Sequence, residues 1–372
     1  MSARRDFALI CFIALGLIGF ALPLGGGSAW TAHGLSAFLW ALALGIAAWL
    51  VILPPAIGVA TGLALVATVV AAFVPLRLIG AGAGGVDAPG LWCAVLALGF
   101  LAWRAMERLA TFGHETGSKA ANLAVPALFG AWLLYLWQVI TQGFAIPPVL
   151  LPAPSMIGHA LVEAQRTLAE DFVQTFVKSV IPGYLMGCAA GFVVAILVDR
   201  SPFLQRGLLP VGNLVSALPI VGVAPIMVMW FGFDWQSKAA VVVIMTFFPM
   251  LVNTIAGLAA TSHIERDLMR TYAASYGQTM VSVRLPAAMP FIFNALKINS
   301  TLALIGAIVA EFFGTPILGM GFRISTEVGR MNISMVWATI AVAAVAGSAF
   351  YGLLALLERR FTFWHPSFRQ RA

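Results

Sequence analysis

Long apolar runs separated by short polar breaks set the pattern of this chain. Ten runs approach the length needed to cross a bilayer. Four come first: Phe7–Leu24, Leu35–Leu53, Ala56–Leu76 and Leu91–Leu109. Six follow: Ala121–Gln142, Val173–Val198, Leu208–Phe231, Ala239–Ala260, Pro290–Phe313 and Ile333–Leu357. Leu53-Pro54-Pro55 marks a tight turn, and Trp103–Lys119 is a polar break expected to be a linker. Arg4-Arg5 before the first run resembles a signal start, but that run is long and no small-residue cleavage site follows, so a retained helix is expected. Pro210, Pro219 and Pro225 are expected to disrupt the Leu208–Phe231 helix, either for bending or simply to shape the bundle. Gln142–Phe172 is too polar to span and is expected on the outer side, with a surface helix.

The pattern predicts an all-α integral membrane protein, and composition agrees. Only 9% of residues are charged, against 61% hydrophobic, where a soluble domain carries about 25% charged. The formal net charge of +7 would point to nucleic acid in a soluble protein; here the cations sit in short loops, so topology explains them and no nucleic-acid partner is expected. With the N-terminus inside, the inner segments hold Arg4, Arg5, Arg104, Arg108, Lys119, Arg200, Arg206, Arg266, Arg270, Arg284, Arg359, Arg360, Arg369 and Arg371. The outer ones hold Arg77, Arg166, Lys238, Arg323 and Arg330, a bias of fourteen to five that places both termini in the cytoplasm. Cys11, Cys93 and Cys188 lie in apolar runs and suggest packing rather than disulfides. The five histidines are scattered singly, at no metal-ligand spacing. Gly80–Gly85 lacks the Lys-Ser/Thr of a phosphate loop.

One polar stretch, Ser262–Pro290, behaves differently from the other loops. Ser262 and Glu265 have capping-box spacing, and Ile264, Leu268 and Tyr272 recur every four residues on one helical face. Gly277 is positioned to end the helix, and Leu285-Pro286 and Pro290 to break the chain again. A short amphipathic helix between two spans suits docking into a partner's groove; a solvated connecting loop is the plain alternative.

The stretch resembles the cytoplasmic coupling loop of binding-protein-dependent ABC importer permeases. That family carries Glu-Ala-Ala, three residues, Gly, nine residues, then Ile-x-Leu-Pro. Here the same spacing reads Asp267-Leu268-Met269, Ala273 and Val283-Arg284-Leu285-Pro286, with Ala273 replacing the usual glycine and Leu268-Met269 the two alanines. Leu151-Pro152-Ala153-Pro154-Ser155, Trp230-Phe231-Gly232 and Val309-Ala310-Glu311-Phe312-Phe313-Gly314 extend the likeness over about Leu151–Arg360, to the subgroup importing nitrate, sulfonates, taurine and pyrimidine- or flavin-type vitamins.

The resemblance implies a six-helix type I permease core, residues 121–360, with its coupling loop at 261–289. Residues 1–110 then form an extra four-helix block, 111–120 a cytoplasmic linker and 361–372 a basic tail. It also implies the bacterial inner membrane, a second permease subunit (the same chain or another), a periplasmic binding protein and a cytoplasmic ATPase dimer. ATP and Mg²⁺ are expected on that ATPase, with no cofactor on this chain and no enzymatic activity of its own. Ile264, Asp267, Leu268, Arg270, Tyr272, Ala273, Leu285 and Pro286 become the coupling residues.

An importer also needs a polar path. Asn294, Lys297 and Thr301 share a face of the Pro290–Phe313 run, beside Asn299 and Ser300. Lys297 either attracts an anionic solute or snorkels and pairs structurally. Glu311, near the outer end, either fixes the outer loop or acts as a gate contact. Asn213, Ser216, Asn253 and Thr254 are further path candidates, or bonds between helices. An ion-coupled secondary transporter is the alternative; clustered catalytic groups for a membrane enzyme are not evident.

Overall fold

The computed structural model describes residues 7–53, 55–216, 218–314 and 317–363. It is all-helical, with no strand among the described residues. The chain divides into two compact units, residues 1–157 and 158–372.

The first unit contains α1 (Phe7–Ala21), α2 (Gly34–Ile52), α3 (Ile57–Gly80), α4 (Pro89–Thr116) and α5 (Lys119–Gly143). Helix α4 packs along α1, α3 and α5. Small residues open the seams: Ala60, Ala64, Ala67 and Ala71 recur on one face of α3, and all are buried. Burying an indole requires a partner for its N–H, and helix carbonyls supply it: Trp30 Nε1 donates to Gly19 O at 2.9 Å and Trp40 Nε1 to Gly16 O at 3.2 Å.

The polar break expected at Trp103–Lys119 is helical instead. Helix α4 runs to Thr116, with Arg104 and Arg108 buried along it. Thr111 and Thr116 hydroxyls bond back to carbonyls four residues earlier, and Gly117, at φ 66°, ends the helix. Ser118 then caps α5, so only a two-residue turn separates the helices. Helix α5 lies in the first unit.

The unit boundary falls inside α6 (Pro154–Glu163). The second unit continues through α7 (Gln165–Phe172), a wide π-type segment Val173–Val180, and α8 (Ile181–Asp199). Then come α9 (Pro202–Ser216), α10 (Ile220–Phe231), α11 (Trp235–Ala259), α12 (His263–Thr271) and α13 (Tyr276–Thr279). After a second π segment, Met280–Arg284, α14 (Leu285–Glu311), α15 (Met320–Gly329) and α16 (Ile333–Phe361) complete it. Helix α11 is central, packed on α8 and α14. Gly183, Gly187 and Gly191 make the α8 contact close. A methyl group on Gly183 would meet Val242 Cβ at 2.6 Å, and one on Gly191 Met250 Cβ at 3.0 Å.

Eight described helices are long and apolar enough to cross a membrane, and α1 and α10 are shorter apolar helices. The Leu208–Phe231 run is broken as its prolines suggested, but only around Pro219, which caps α10. Pro210 and Pro225 stay inside helices. In an apolar bundle, neighbouring groups can satisfy the backbone that proline frees.

Candidate functional site

The polar stretch after α11 is folded. Ser262 Oγ accepts from the Glu265 amide at 3.2 Å, and the Glu265 carboxylate accepts from the Ser262 amide at 3.0 Å. This reciprocal cap starts α12. The other end differs from expectation. The helix stops at Tyr272 rather than Gly277, because Ala273 takes the left-handed conformation, φ 52°. Its amide bonds to Arg270 O at 2.9 Å and that of Ala274 to Met269 O at 3.0 Å, a Schellman cap. Gly277 lies within α13, which has its own capping box from Ser275 and Gln278. Alanine is costly in this conformation, by about 1 kcal/mol. Ala273→Gly is therefore expected to increase amide-exchange protection across α12; unchanged or lower protection would contradict the assigned cap.

No residue of α12 is buried. Ile264 is 82% exposed, Leu268 54% and Tyr272 76%. Three large apolar side chains thus stand in the open on a rigid helix. Asp267 pairs with Arg270 at 3.3 Å, both exposed.

Beneath α12 is a partly buried clamp that the sequence did not reveal. Arg284 grips both carboxylate oxygens of Asp199, at 2.6 and 2.7 Å, and donates to Leu258 O at 3.1 Å. Tyr276 Oη donates to the same Asp199 at 2.9 Å, and Arg200 lies 4.7 Å over the Tyr276 ring. Arg266 donates to Thr261 O at 2.7 Å and Ala259 O at 3.1 Å. These bonds tie the stretch to the last residues of α8 and α11. The only local signal was a lone Arg284 just before Leu-Pro.

Leu285 and Pro286 do not interrupt the chain. Tyr276–Glu311 is continuous helix, and Pro290 sits inside it. The Leu285 amide reaches back five residues to Met280 O, and this widened π turn makes room for a proline ring that an α turn would crowd. Motion at Tyr276 can therefore pass along α14 without a break.

The path candidates separate. Asn294 and Thr301 stay together on an exposed stripe of α14 with Phe291, Ile298 and Ile305. Lys297 leaves that stripe and pairs with Glu358 of α16 at 2.6 Å, both side chains largely buried. Its electrostatic need is thus met within the protein. Lys297→Met is expected to destabilise the fold by about 3–5 kcal/mol, because it strands a buried carboxylate. Lys297→Met/Glu358→Gln is expected to recover much of this with unchanged solute KM. A large KM rise in the double variant would return Lys297 to the path.

Asn299 is fully buried and bonds across the bundle, to Thr246 O at 2.8 Å and Cys188 Sγ at 3.3 Å. Asn253 is half-buried and donates to Pro249 O of its own helix at 2.8 Å. Thr254 is buried. The Asn213 and Ser216 side chains lie outside the described residues.

Glu311, 2% exposed, ends α14 in a buried network. It accepts from Thr175 Oγ1 at 2.8 Å and from the Gly321 amide at 2.7 Å. Asp171 accepts from the Gly319 amide and from Arg323 Nε, both at 2.8 Å. These two acids fasten the start of α15 to α7 and its π extension. Nearby, Lys238 is buried and donates to Phe233 O at 2.6 Å.

With this geometry in place, comparison with known proteins is decisive. Residues 183–363 match the family "Binding-protein-dependent transport system inner membrane component". These residues belong to that transport-system family. The chain is similar to a probable ABC transporter permease protein of Haemophilus influenzae, 28% identical over 240 residues, covering 64% of this chain and 97% of the relative. It is 27% identical to the formylaminopyrimidine transport permease protein ThiX of Halalkalibacterium halodurans, covering 64% and 95%. With the putative aliphatic sulfonates transport permease protein SsuC of Bacillus subtilis it shares 28% identity, covering 68% and 92%. The relatives are transport permease subunits, and the permease is a multi-pass membrane protein.

Proposed function

We propose that this chain is the membrane subunit of an ATP-driven importer in a bacterial inner membrane, with both termini cytoplasmic. A binding protein outside delivers a small anionic or heterocyclic solute, and two permease subunits enclose its path. A cytoplasmic ATPase dimer binds ATP and Mg²⁺ and receives α12 in a cleft. The observation that carries this reading is α12 itself: capped at both ends, braced by Arg284–Asp199, and exposing Ile264, Leu268 and Tyr272. Solvent alone gives no reason to hold such side chains rigidly outward.

The mechanism is two-state coupling. ATP favours the closed ATPase pair, and the permease shifts only if its conformations contact that pair with different free energies. Leu268 and Tyr272 form the gripped surface, the clamp passes displacement to α8 and α11, and the unbroken Tyr276–Glu311 helix carries it across the membrane. Asn294 and Thr301 face the path. Glu311 acts as an outer latch, holding the Gly321 amide directly and the Met320 amide through Thr175. The solute class rests on relatives named for sulfonates and formylaminopyrimidine.

The test is uptake into vesicles carrying the intact complex and its co-purifying binding protein. Transport driven by internal ATP and indifferent to ion gradients is expected. Transport driven by a proton or sodium gradient without ATP would favour the secondary-transporter reading. The ligand held by the binding protein would name the solute.

A further inference from the structure

Between α12 and the ends of α8 and α11 lies an open cleft of about 450 Å³, lined in part by Asp199, Ala259, Arg266, Arg270, Tyr276 and Arg284. Its charges do not balance. The Asp199 carboxylate is already gripped on both oxygens by Arg284 and bonded by Tyr276. Arg266 is spread over two backbone carbonyls, which are neutral acceptors. Arg270 is 83% exposed in its side chain and, among the described residues, is held by the surface pair with Asp267 at 3.3 Å, and such pairs are weak. Among the described residues, two guanidinium charges therefore border the cleft without a buried carboxylate of their own.

We propose that the cleft receives an acidic side chain of the nucleotide-hydrolysing partner, held by Arg266 and Arg270. The inference rests on the coupling reading of α12 and adds the recognition chemistry behind it. Ile264, Leu268 and Tyr272 are exposed on the opposite side of the same short helix, and a groove that seats the helix covers both sides at once, which a protein partner does and a free anion does not. Guanidinium suits this role because its fork matches carboxylate geometry. The consequence is mechanical. A helix seated in a groove transmits a push; a carboxylate held behind that helix also lets the partner pull it when the ATPases separate.

The test uses the full complex in nanodiscs, with Arg270→Glu, Arg270→Lys and Leu268→Asp compared for ATPase retained against salt and for ATP-driven uptake. Arg270→Glu is expected to weaken association about tenfold or more and to shed the ATPase at lower salt. Arg270→Lys is expected to fall between wild type and Arg270→Glu, because it keeps the charge and loses the fork, and an acid-to-arginine change in the ATPase groove to rescue Arg270→Glu. Wild-type retention and uptake by Arg270→Glu at all salts would overturn the proposal. If Leu268→Asp dissociates while Arg270→Glu does not, the cleft assignment alone falls; if neither dissociates, the coupling reading falls as well. Saturable binding of inorganic phosphate to the ATPase-free permease, lost in Arg270→Glu while ATPase retention is unchanged, would make the cleft a small-anion site and overturn the proposal.

Discussion

Replacing Leu268 and Tyr272 together by aspartate is expected to abolish ATP-driven uptake while the chain still inserts and folds. Neither side chain supports the fold: both are exposed, and the caps that define α12 are made by Ser262, Glu265 and the backbone around Ala273. The loss must therefore fall on the partner interface. An anchoring aromatic or aliphatic residue at a protein interface contributes roughly 2 kcal/mol or more, and burying an unpaired carboxylate in its place adds a desolvation cost. Two such changes total at least about 4 kcal/mol, roughly a thousandfold in affinity. Permease-stimulated ATP hydrolysis should fall with uptake, while detergent-extracted variant and wild type unfold at the same temperature. Persistence of both activities would remove α12 from the docking role.

The second large effect is expected at the clamp. Arg284→Ala leaves Asp199 largely buried and, among the described residues, bonded by the Tyr276 hydroxyl alone; the two side chains are 13% and 8% exposed in the intact pair. Removing one partner of a buried ion pair costs about 3–5 kcal/mol, because the stranded charge keeps its desolvation penalty. Thermal unfolding should drop accordingly, and Arg284→Ala/Asp199→Asn should recover a substantial part. The function of the double variant is the more informative outcome. With the stretch no longer bolted to α8, ATP hydrolysis should continue at a rate that uptake does not follow. A double variant with fully coupled transport would show that force reaches the membrane helices by another route.

What the sequence showed and what it hid divide along physical lines. The apolar runs and the Ser262–Glu265 cap were legible because each depends on neighbours within about a helical turn. Tertiary pairs were not: Lys297 meets Glu358, Arg284 meets Asp199 and Glu311 meets Thr175 across 61, 85 and 136 residues. A face-sharing argument therefore grouped Lys297 with Asn294 and Thr301, when burial of its charge against α16 was the stronger force. Proline misled in a consistent direction. Pro286 and Pro290 read as breaks by rules suited to water, but a wide turn and apolar packing keep the helix whole. Gly277 read as the stop of α12, yet Ala273 accepted the strained conformation four residues earlier. The polarity around Arg104 and Arg108 read as a linker, where helix α4 instead buries both along its length.

The central claim is that a nucleotide-driven partner holds this permease through α12. It is tested most directly by isolating the intact chain from its native membrane and assaying for a bound ATP-hydrolysing subunit, with Leu268→Asp/Tyr272→Asp prepared in parallel. The account predicts such a subunit on the wild-type chain and its absence from the variant. A wild-type chain that transports solute yet never retains an ATPase would contradict it.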